Sequence, residues 1–406
     1  VSLDQEEPVA APPVALADYV ARMRRQRRIY VIVLAVIVVL VVAGVELVLR
    51  NGESAHATLR MAKTAVAAPP SAAITASPTV AWHQDEATAI GVPVWEGTVV
   101  TYSAHTVTGR NYATGAAVWT YTRTDVSICQ VVQEQGMTIA FYDLNGNCDE
   151  VSAFSTGTGK RQWFRTLDSN GNPTDGHPTY SVSQYTILMA TPHLVQAIDP
   201  SGGIDRWVFV QPAGCTTTSA VLGGNGVLIG QHCADGDHLV LREAYTADSD
   251  DGKTKTTKWR LDNTSVVPVS ADDLVSAFDA TSGDLIRYDA ADGKVLSTQA
   301  LDPAVRPSGP VHAVNGASSE LIWVGGNAYS VVSTTGAQSW STPLLGLPTI
   351  TEPNLIGLTA QAVVEIDQSS GKSLHTYPIS SSTGAVGVFR IGTGFVLAGS
   401  STTVYH

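Results

Sequence analysis

Charge is scarce in this sequence. Asp, Glu, Lys and Arg make up only 15% of 406 residues, and no long charged helical stretch occurs. Basic residues are scarcest where a nucleic-acid binder would need them. Residues 51–406 carry 18 Lys and Arg against 31 acids, a balance of −13. No basic face is available to neutralise phosphates, which excludes a nucleic-acid partner for this part of the chain. The stretch from 79 onward also lacks a Gly-x-Ser-x-Gly elbow, a His-Glu-x-x-His pair and a P-loop, so the hydrolase and nucleotide chemistries those motifs support are not indicated.

Long hydrophobic runs are missing too, with one exception. Ile29 to Leu49 is 21 residues with a single ionisable group, Glu46. A bilayer core takes about 20 apolar residues in a helix, and Glu46 lies near one end of the run, where it can reach the interface. Arg22, Arg24, Arg25, Arg27 and Arg28 precede the run and only Arg50 follows it directly. The positive-inside rule predicts residues 1–28 as a cytoplasmic tail, 29–49 as an uncleaved signal anchor, and the rest outside, a type II topology. Glu46 also leaves room for a partner span. Residues 50–78, rich in Ala, Ser, Thr and Pro, are predicted as a flexible tether.

From residue 79, short strand-like runs alternate with Gly, Asn and Asp turns, and a register emerges. Gly115 precedes Trp119, Gly159 precedes Trp163, Gly203 precedes Trp207 and Gly336 precedes Trp340, each by four residues. The steps mark a unit of about 44 residues, the size of a four-stranded propeller blade. Trp82, Trp259, Ser297 and His375 fill degenerate slots, which brings the count to eight; seven is the alternative, because the 259–297 region is irregular. The last three strands of the chain lack an outer one, and the Trp82 strand is predicted to supply it, closing the ring and removing exposed edges. The fold class is therefore all-β, an eight-bladed propeller over 79–406. The tryptophans are predicted to dock blade on blade, each burying about 150–250 Å².

Only four cysteines occur, Cys129, Cys148, Cys215 and Cys233, all beyond the span. Cys129 and Cys215 hold similar places after Trp119 and Trp207, and their partners follow at 19 and 18 residues. The repeat predicts disulfides Cys129–Cys148 and Cys215–Cys233, with each second cysteine at the end of a blade's second strand. Asp143, Asn145, Asn147 and Asp149 alternate as oxygen ligands for calcium would, and Asp168, Asn170, Asn172 and Asp175 do likewise. Neither set has the glycine and glutamate of an EF-hand loop, and a plain hairpin turn is the competing explanation. His177, His193, His232 and His238 are read as turn or surface histidines. The insert 248–255 breaks the repeat length; a solvated turn of mixed charge is the plain explanation, and a recognition loop is the alternative.

Ile198-Asp199-Pro200-Ser201-Gly202 and Phe278-Asp279-Ala280-Thr281-Ser282-Gly283, with the tryptophan register, resemble the quinoprotein-type propeller repeat over 79–406. That family includes alcohol dehydrogenases and non-catalytic, BamB-like assembly proteins of the outer membrane. The dehydrogenases hold their quinone against an adjacent-cysteine disulfide with calcium nearby. Here the closest cysteines are 18 apart, and the extra loops of those longer chains are lacking. The resemblance therefore implies a bacterial, non-catalytic scaffold with no cofactor, working with other membrane or envelope proteins. A ligand-binding or sensory propeller with a small molecule in its funnel, and a quinoprotein oxidoreductase, are the alternatives.

Overall fold

The structure, a computed structural model, describes residues 23, 25, 27, 29–40, 53–70, 72–75, 77–167, 178–183, 186–243, 257–301, 312–315, 319–324, 326–332, 335, 337–346, 348–351, 353–380 and 384–406. It divides into two units, 1–57 and 58–406. In the first, residues 29–40 are helical with exposed apolar side chains. The expected span 29–49 is thus described only to residue 40, and among the described residues no helix is long and apolar enough to cross a membrane. The ligand-like string 168–175, the insert 248–255 and His177 lie outside the described residues.

The second unit is built of eight sheets whose four blade strands pair antiparallel, in sequence order from the centre outward in blades 1 to 7. Blade 1 contains Ala87–Thr88, Thr98–Tyr102, Thr106–Asn111 and Ala117–Arg123; blade 2 contains Ser127–Glu134, Met137–Leu144, Asn147–Ser155 and Arg161–Thr166. Blade 3 runs through Thr179–Ser183, Thr186–Ala190, Leu194–Ile198 and Asp205–Val210. Blade 4 runs through Cys215–Gly223, Gly226–Cys233, Gly236–Arg242 and Thr257–Asp262. Blade 5 is Val267–Ala271, Val275–Asp279, Asp284–Tyr288 and Val295–Ala300, and blade 6 is His312–Asn315, Ser319–Val324, Asn327–Val332 and Gln338–Pro343. Blade 7 is Thr349–Thr351, Asn354–Leu358, Ala362–Asp367 and Ser373–Pro378. Blade 8 joins Ala385–Ile391, Gly394–Gly399 and Thr402–Tyr405 to Val80–Gln84, so the two ends of the ring are knitted in one sheet.

The Gly-x-x-x-Trp register has a physical cause. Gly115, Gly159, Gly203, Gly293 and Gly371 adopt a positive φ in the turn before the outer strand, and the tryptophan of the preceding blade lies on each of them. A Cβ on Gly159 would meet the Trp119 ring at 2.6 Å, and one on Gly371 would meet Trp340 at 2.5 Å. The indole N–H then donates to a carbonyl of the same turn: Trp119 to Thr156 O at 2.6 Å, Trp163 to Pro200 O at 2.9 Å, Trp340 to Gln368 O at 2.9 Å. Trp82 and Trp259 do the same with Tyr112 and Ala290. The ring thus buries its apolar face and satisfies its one polar atom at once.

Between the blades, side chains alternate. Along each inner strand one parity faces the preceding blade and the other the next. Ile322 and Val324 of blade 6 pack with Val269, Leu274, Phe278 and Leu285 of blade 5, while Leu321 packs towards blade 7 with Leu355 and Ile366.

Residues 58–75 depart from the expected tether. Arg60 Nη2 donates to Ala117 O at 2.7 Å and Ala62 N to Thr158 O at 2.9 Å. Further on, Gly97 N donates to Val66 O at 3.3 Å and Thr75 N to Thr393 O at 2.9 Å. Ile74 is buried in the core of blades 7 and 8. This segment is a strap across blades 2, 1 and 8. Its extended Pro- and Ala-rich backbone supplies unpaired N–H and C=O groups to open turns, which satisfies both partners.

Candidate functional site

At the end of the ring where first and third strands begin, blades 2 and 4 carry disulfides and charge. Cys129 pairs with Cys148, Cα–Cα 6.0 Å, and Cys215 with Cys233, Cα–Cα 4.0 Å. Only the second bond lies where the repeat places it, between the start of strand one and the end of strand two. In blade 2, Cys129 is the extra residue of a bulge and Cys148 sits on the third strand. The second strand of that blade runs on to Leu144, so the hairpin turn falls before Cys148 and not after it.

The turn itself holds the alternating oxygen residues. Asp143 Oδ1 accepts the Gly146 N–H at 2.6 Å, and Asn145 takes a left-handed φ of 58°. That is the local Asx chemistry of an Asn-Gly hairpin. The Asp149 carboxyl is pushed up by burial, with the neighbouring charges of Glu150 and Asp143 adding to the effect. Beside it Arg123 is fully buried. Its guanidinium reaches Glu150 at 2.5 Å and Asp125 at 2.8 Å, and stacks over Tyr142 at 5.4 Å.

Blade 4 presents a different set. His232 Nδ1 lies 2.5 Å from Asp237 and is exposed. His238, read from sequence as a surface residue, is 2% exposed. Its Nε2 lies 3.0 Å from Asp235 Oδ1 and 2.9 Å from Arg260 Nη2, and its Nδ1 lies 2.9 Å from Asp262 Oδ1. It faces inward because it is the direct cross-strand partner of buried Gln231, so both occupy one face of the sheet. The Asp235 carboxyl is held below its usual range by the bond to His238 first, and Asp237 by the bond to His232. Asp235 and Asp262 stay well exposed, so the mouth is acidic.

One further residue escapes sequence reading. Glu320 pairs with Val331 on the third strand of its blade. The corresponding positions of the other blades are Val99, Thr138, Ile187, Val227, Val275, Leu355 and Phe395. Glu320 is therefore a carboxyl in a slot that is apolar in six blades. It is 0% exposed, neither oxygen has a well-formed hydrogen bond, and it faces blade 5 near Ser270, Asp272 and Asp273. Burial, chiefly, pushes it up to about 8. Only the blade alignment gives the signal.

Comparison with known proteins follows the repeat. A family model described as "Outer membrane protein assembly factor BamB" matches residues 71–221. No curated protein sequence matches the chain. Among solved structures, the quinohemoprotein alcohol dehydrogenase of Comamonas testosteroni is 13% identical with a TM-score of 0.51, over 81% of this chain and 76% of that one. Sqt1 of Saccharomyces cerevisiae is 10% identical with a TM-score of 0.51, over 83% and 98%. BamB of Moraxella catarrhalis is 16% identical with a TM-score of 0.49, over 81% and 99%. At such identities structural likeness speaks for fold alone. The tryptophan register, the eight blades and the family model matched over residues 71–221, less than half of the chain, make it similar to the PQQ-like β-propellers.

Proposed function

We propose that this chain is a non-catalytic, membrane-anchored scaffold whose propeller stands outside the cell membrane and docks a protein partner in an envelope or membrane-protein complex. The observation that carries the reading is the acidic mouth of blades 2 and 4. Charged loops there are held on rigid strands by two disulfides, and recognition groups work best on such supports. The BamB family model, described as an assembly factor, matches the residues that include blades 1 to 3 and the blade 2 disulfide. Asp143, Asp235, Asp237 and Asp262 make the mouth complementary to a basic partner surface, whose association salt would weaken. The sequence of residues 29–49 supplies the anchor.

The test is in vivo crosslinking of full-length protein, purification in mild detergent and reconstitution with each purified candidate. A stoichiometric complex that weakens with salt and is lost in the Asp143→Lys, Asp237→Lys double variant supports the scaffold. A complex indifferent to that charge reversal overturns the assignment of the mouth. Fractionation of full-length protein against a chain lacking residues 1–50 checks the anchor, which predicts release of the shortened chain from membranes.

A further inference from the structure

Along the mouth of blade 4, each strand contributes one residue to the same face. Cys215 of the first strand opposes Cys233 of the second, Gln231 opposes His238 of the third, and His238 opposes Asp262 of the fourth. Cys233 shares a face with Gln231, two residues away, so two sulfurs, an imidazole and a carboxylate form a row. Asp235 adds a second carboxylate from the turn. The Cys233 sulfur, an Asp235 oxygen and a His238 ring nitrogen all lie within 4.8 Å of one another. In a tetrahedral zinc site with bonds of about 2.0–2.3 Å the donors stand roughly 3.5 Å apart, so these three need to draw together by about 1 Å, and the Cys215 and Cys233 sulfurs have to part from bonding distance.

While Cys215 and Cys233 are bonded to each other, neither sulfur is a thiolate and zinc has no anchor there. We propose that in the dithiol form Cys215, Cys233, Asp235 and His238 bind one zinc ion, so that blade 4 has two alternative ties, a disulfide and a metal. A phosphine reductant gives the dithiol: the S–S bond breaks, two thiols form, and the phosphine becomes its oxide with oxygen from water. Zinc then displaces both thiol protons and forms two Zn–S bonds, one bond to the imidazole and one to the Asp235 carboxylate.

The surroundings suit that role. Metal-bound histidines usually have the second ring nitrogen steered by a carboxylate. Asp262, 2.9 Å from Nδ1, is placed to do this, leaving Nε2 on the side of Asp235. In the disulfide form Nδ1 lies 2.9 Å from Asp262 but out of line for a well-formed hydrogen bond, although the residue is buried. Two thiolates and a carboxylate leave the zinc site at −1, and the Arg260 guanidinium offsets this. Its side chain is 41% exposed and its Nε is held 2.7 Å from Asp262 Oδ1, so the charge stays beside the site. Blade 2 is the internal control: its disulfide has Asp143, Asp149 and Glu150 nearby, and among the described residues no group of three metal donors includes Cys129 or Cys148.

The experiment uses full-length protein, reduced anaerobically with phosphine, and titrates zinc, with cobalt as the optical probe. One equivalent per chain is expected, with a thiolate-to-cobalt charge-transfer band, at least tenfold weaker in His238→Ala and unchanged in the Cys129→Ser, Cys148→Ser double variant. Zinc-binding that survives His238→Ala, or none in reduced protein that keeps its near-ultraviolet circular dichroism, overturns the proposal. If reduction unfolds the chain, Cys215→Ser frees the Cys233 thiol with the blade 2 disulfide intact. That variant must then bind zinc without reductant, and Cys215→Ser, His238→Ala must not. The outcome is independent of whether the mouth docks a partner.

Discussion

In blade 2 the disulfide reaches from a bulge on the first strand to the third, beside a buried Arg123 with two carboxylates; in blade 4 it joins directly opposed residues of the first two strands, beside a buried histidine. The two loops closed are nearly equal, 19 and 18 residues, so the constraint placed on the unfolded chain is the same. What differs is the chemistry left around each bond. Blade 2 satisfies its buried charge internally, as guanidinium with carboxylates. Blade 4 surrounds its sulfurs with donors that suit a metal. Equal entropy with unequal surroundings means the two ties are interchangeable for stability and distinct for chemistry.

The strongest way to break the equivalence is to remove what seats each blade. Trp119 is fully buried against blade 2, and Trp119→Ala is expected to cost about 3–5 kcal/mol through a cavity at the interface. Trp207 faces blade 4 with the Arg242 guanidinium 5.4 Å from its ring. Trp207→Ala is expected to cost about as much. Urea unfolding of both variants checks this. A loss under about 1 kcal/mol at either would deny the ring its docking role.

Next come the disulfides. Replacing either pair by serine is expected to cost about 3 kcal/mol under oxidising conditions, alike for both blades. Calorimetry in the presence of reductant then sharpens the contrast. Zinc should raise the melting temperature of reduced protein when Cys215 and Cys233 are present and leave it unchanged when they are serine.

How much of this was legible beforehand follows from which residues repeat. The tryptophan and glycine slots obey one spacing because each ring needs a Cβ-free turn beneath it. Even Ser297 and His375 therefore mark the outer strands of blades 5 and 7 correctly. The place of Cys148 was not legible, because a bulge at Cys129 and a longer second strand shift it onto the next strand without altering the cysteine spacing. The strap was hidden for another reason. Ala- and Pro-rich composition states that a segment is extended, and the turns that receive its hydrogen bonds lie tens to hundreds of residues away, as with Val66 and Gly97 and with Thr75 and Thr393. His238 looked like any turn histidine until its partner across the strand was known.

Blades 5 and 6 extend the comparison to a seam where buried charge is not answered as it is in blade 2. Glu320 has its folded pKa raised to about 8 from an ordinary 4.5. The protonated form is therefore favoured in the folded chain: its contribution is complete below about pH 4.5 and is lost as pH rises through 8. Stability should fall between those limits by up to about 1.4 kcal/mol per pH unit. Glu320→Leu, which restores the residue type of the other blades, should flatten that slope and raise stability at pH 8. Serial melts from pH 5 to 9 decide it, and parallel slopes in both proteins would refute the assignment.

The smallest effect belongs to the blade 2 hairpin, and it separates two explanations of the same residues. If Asp143 serves the turn, its work is one hydrogen bond to the Gly146 N–H, and Asp143→Ala costs about 0.5–1.5 kcal/mol whether or not calcium is present. If Asp143, Asn145, Asn147 and Asp149 bind calcium, the ion should raise the melting temperature of wild type and the variant should abolish that rise. Asp143 already spends an oxygen on the turn, and burial favours the neutral form of Asp149, which a cation would have to reverse. The turn is therefore expected to prevail, with calcium titration leaving the melting temperature of wild type unmoved.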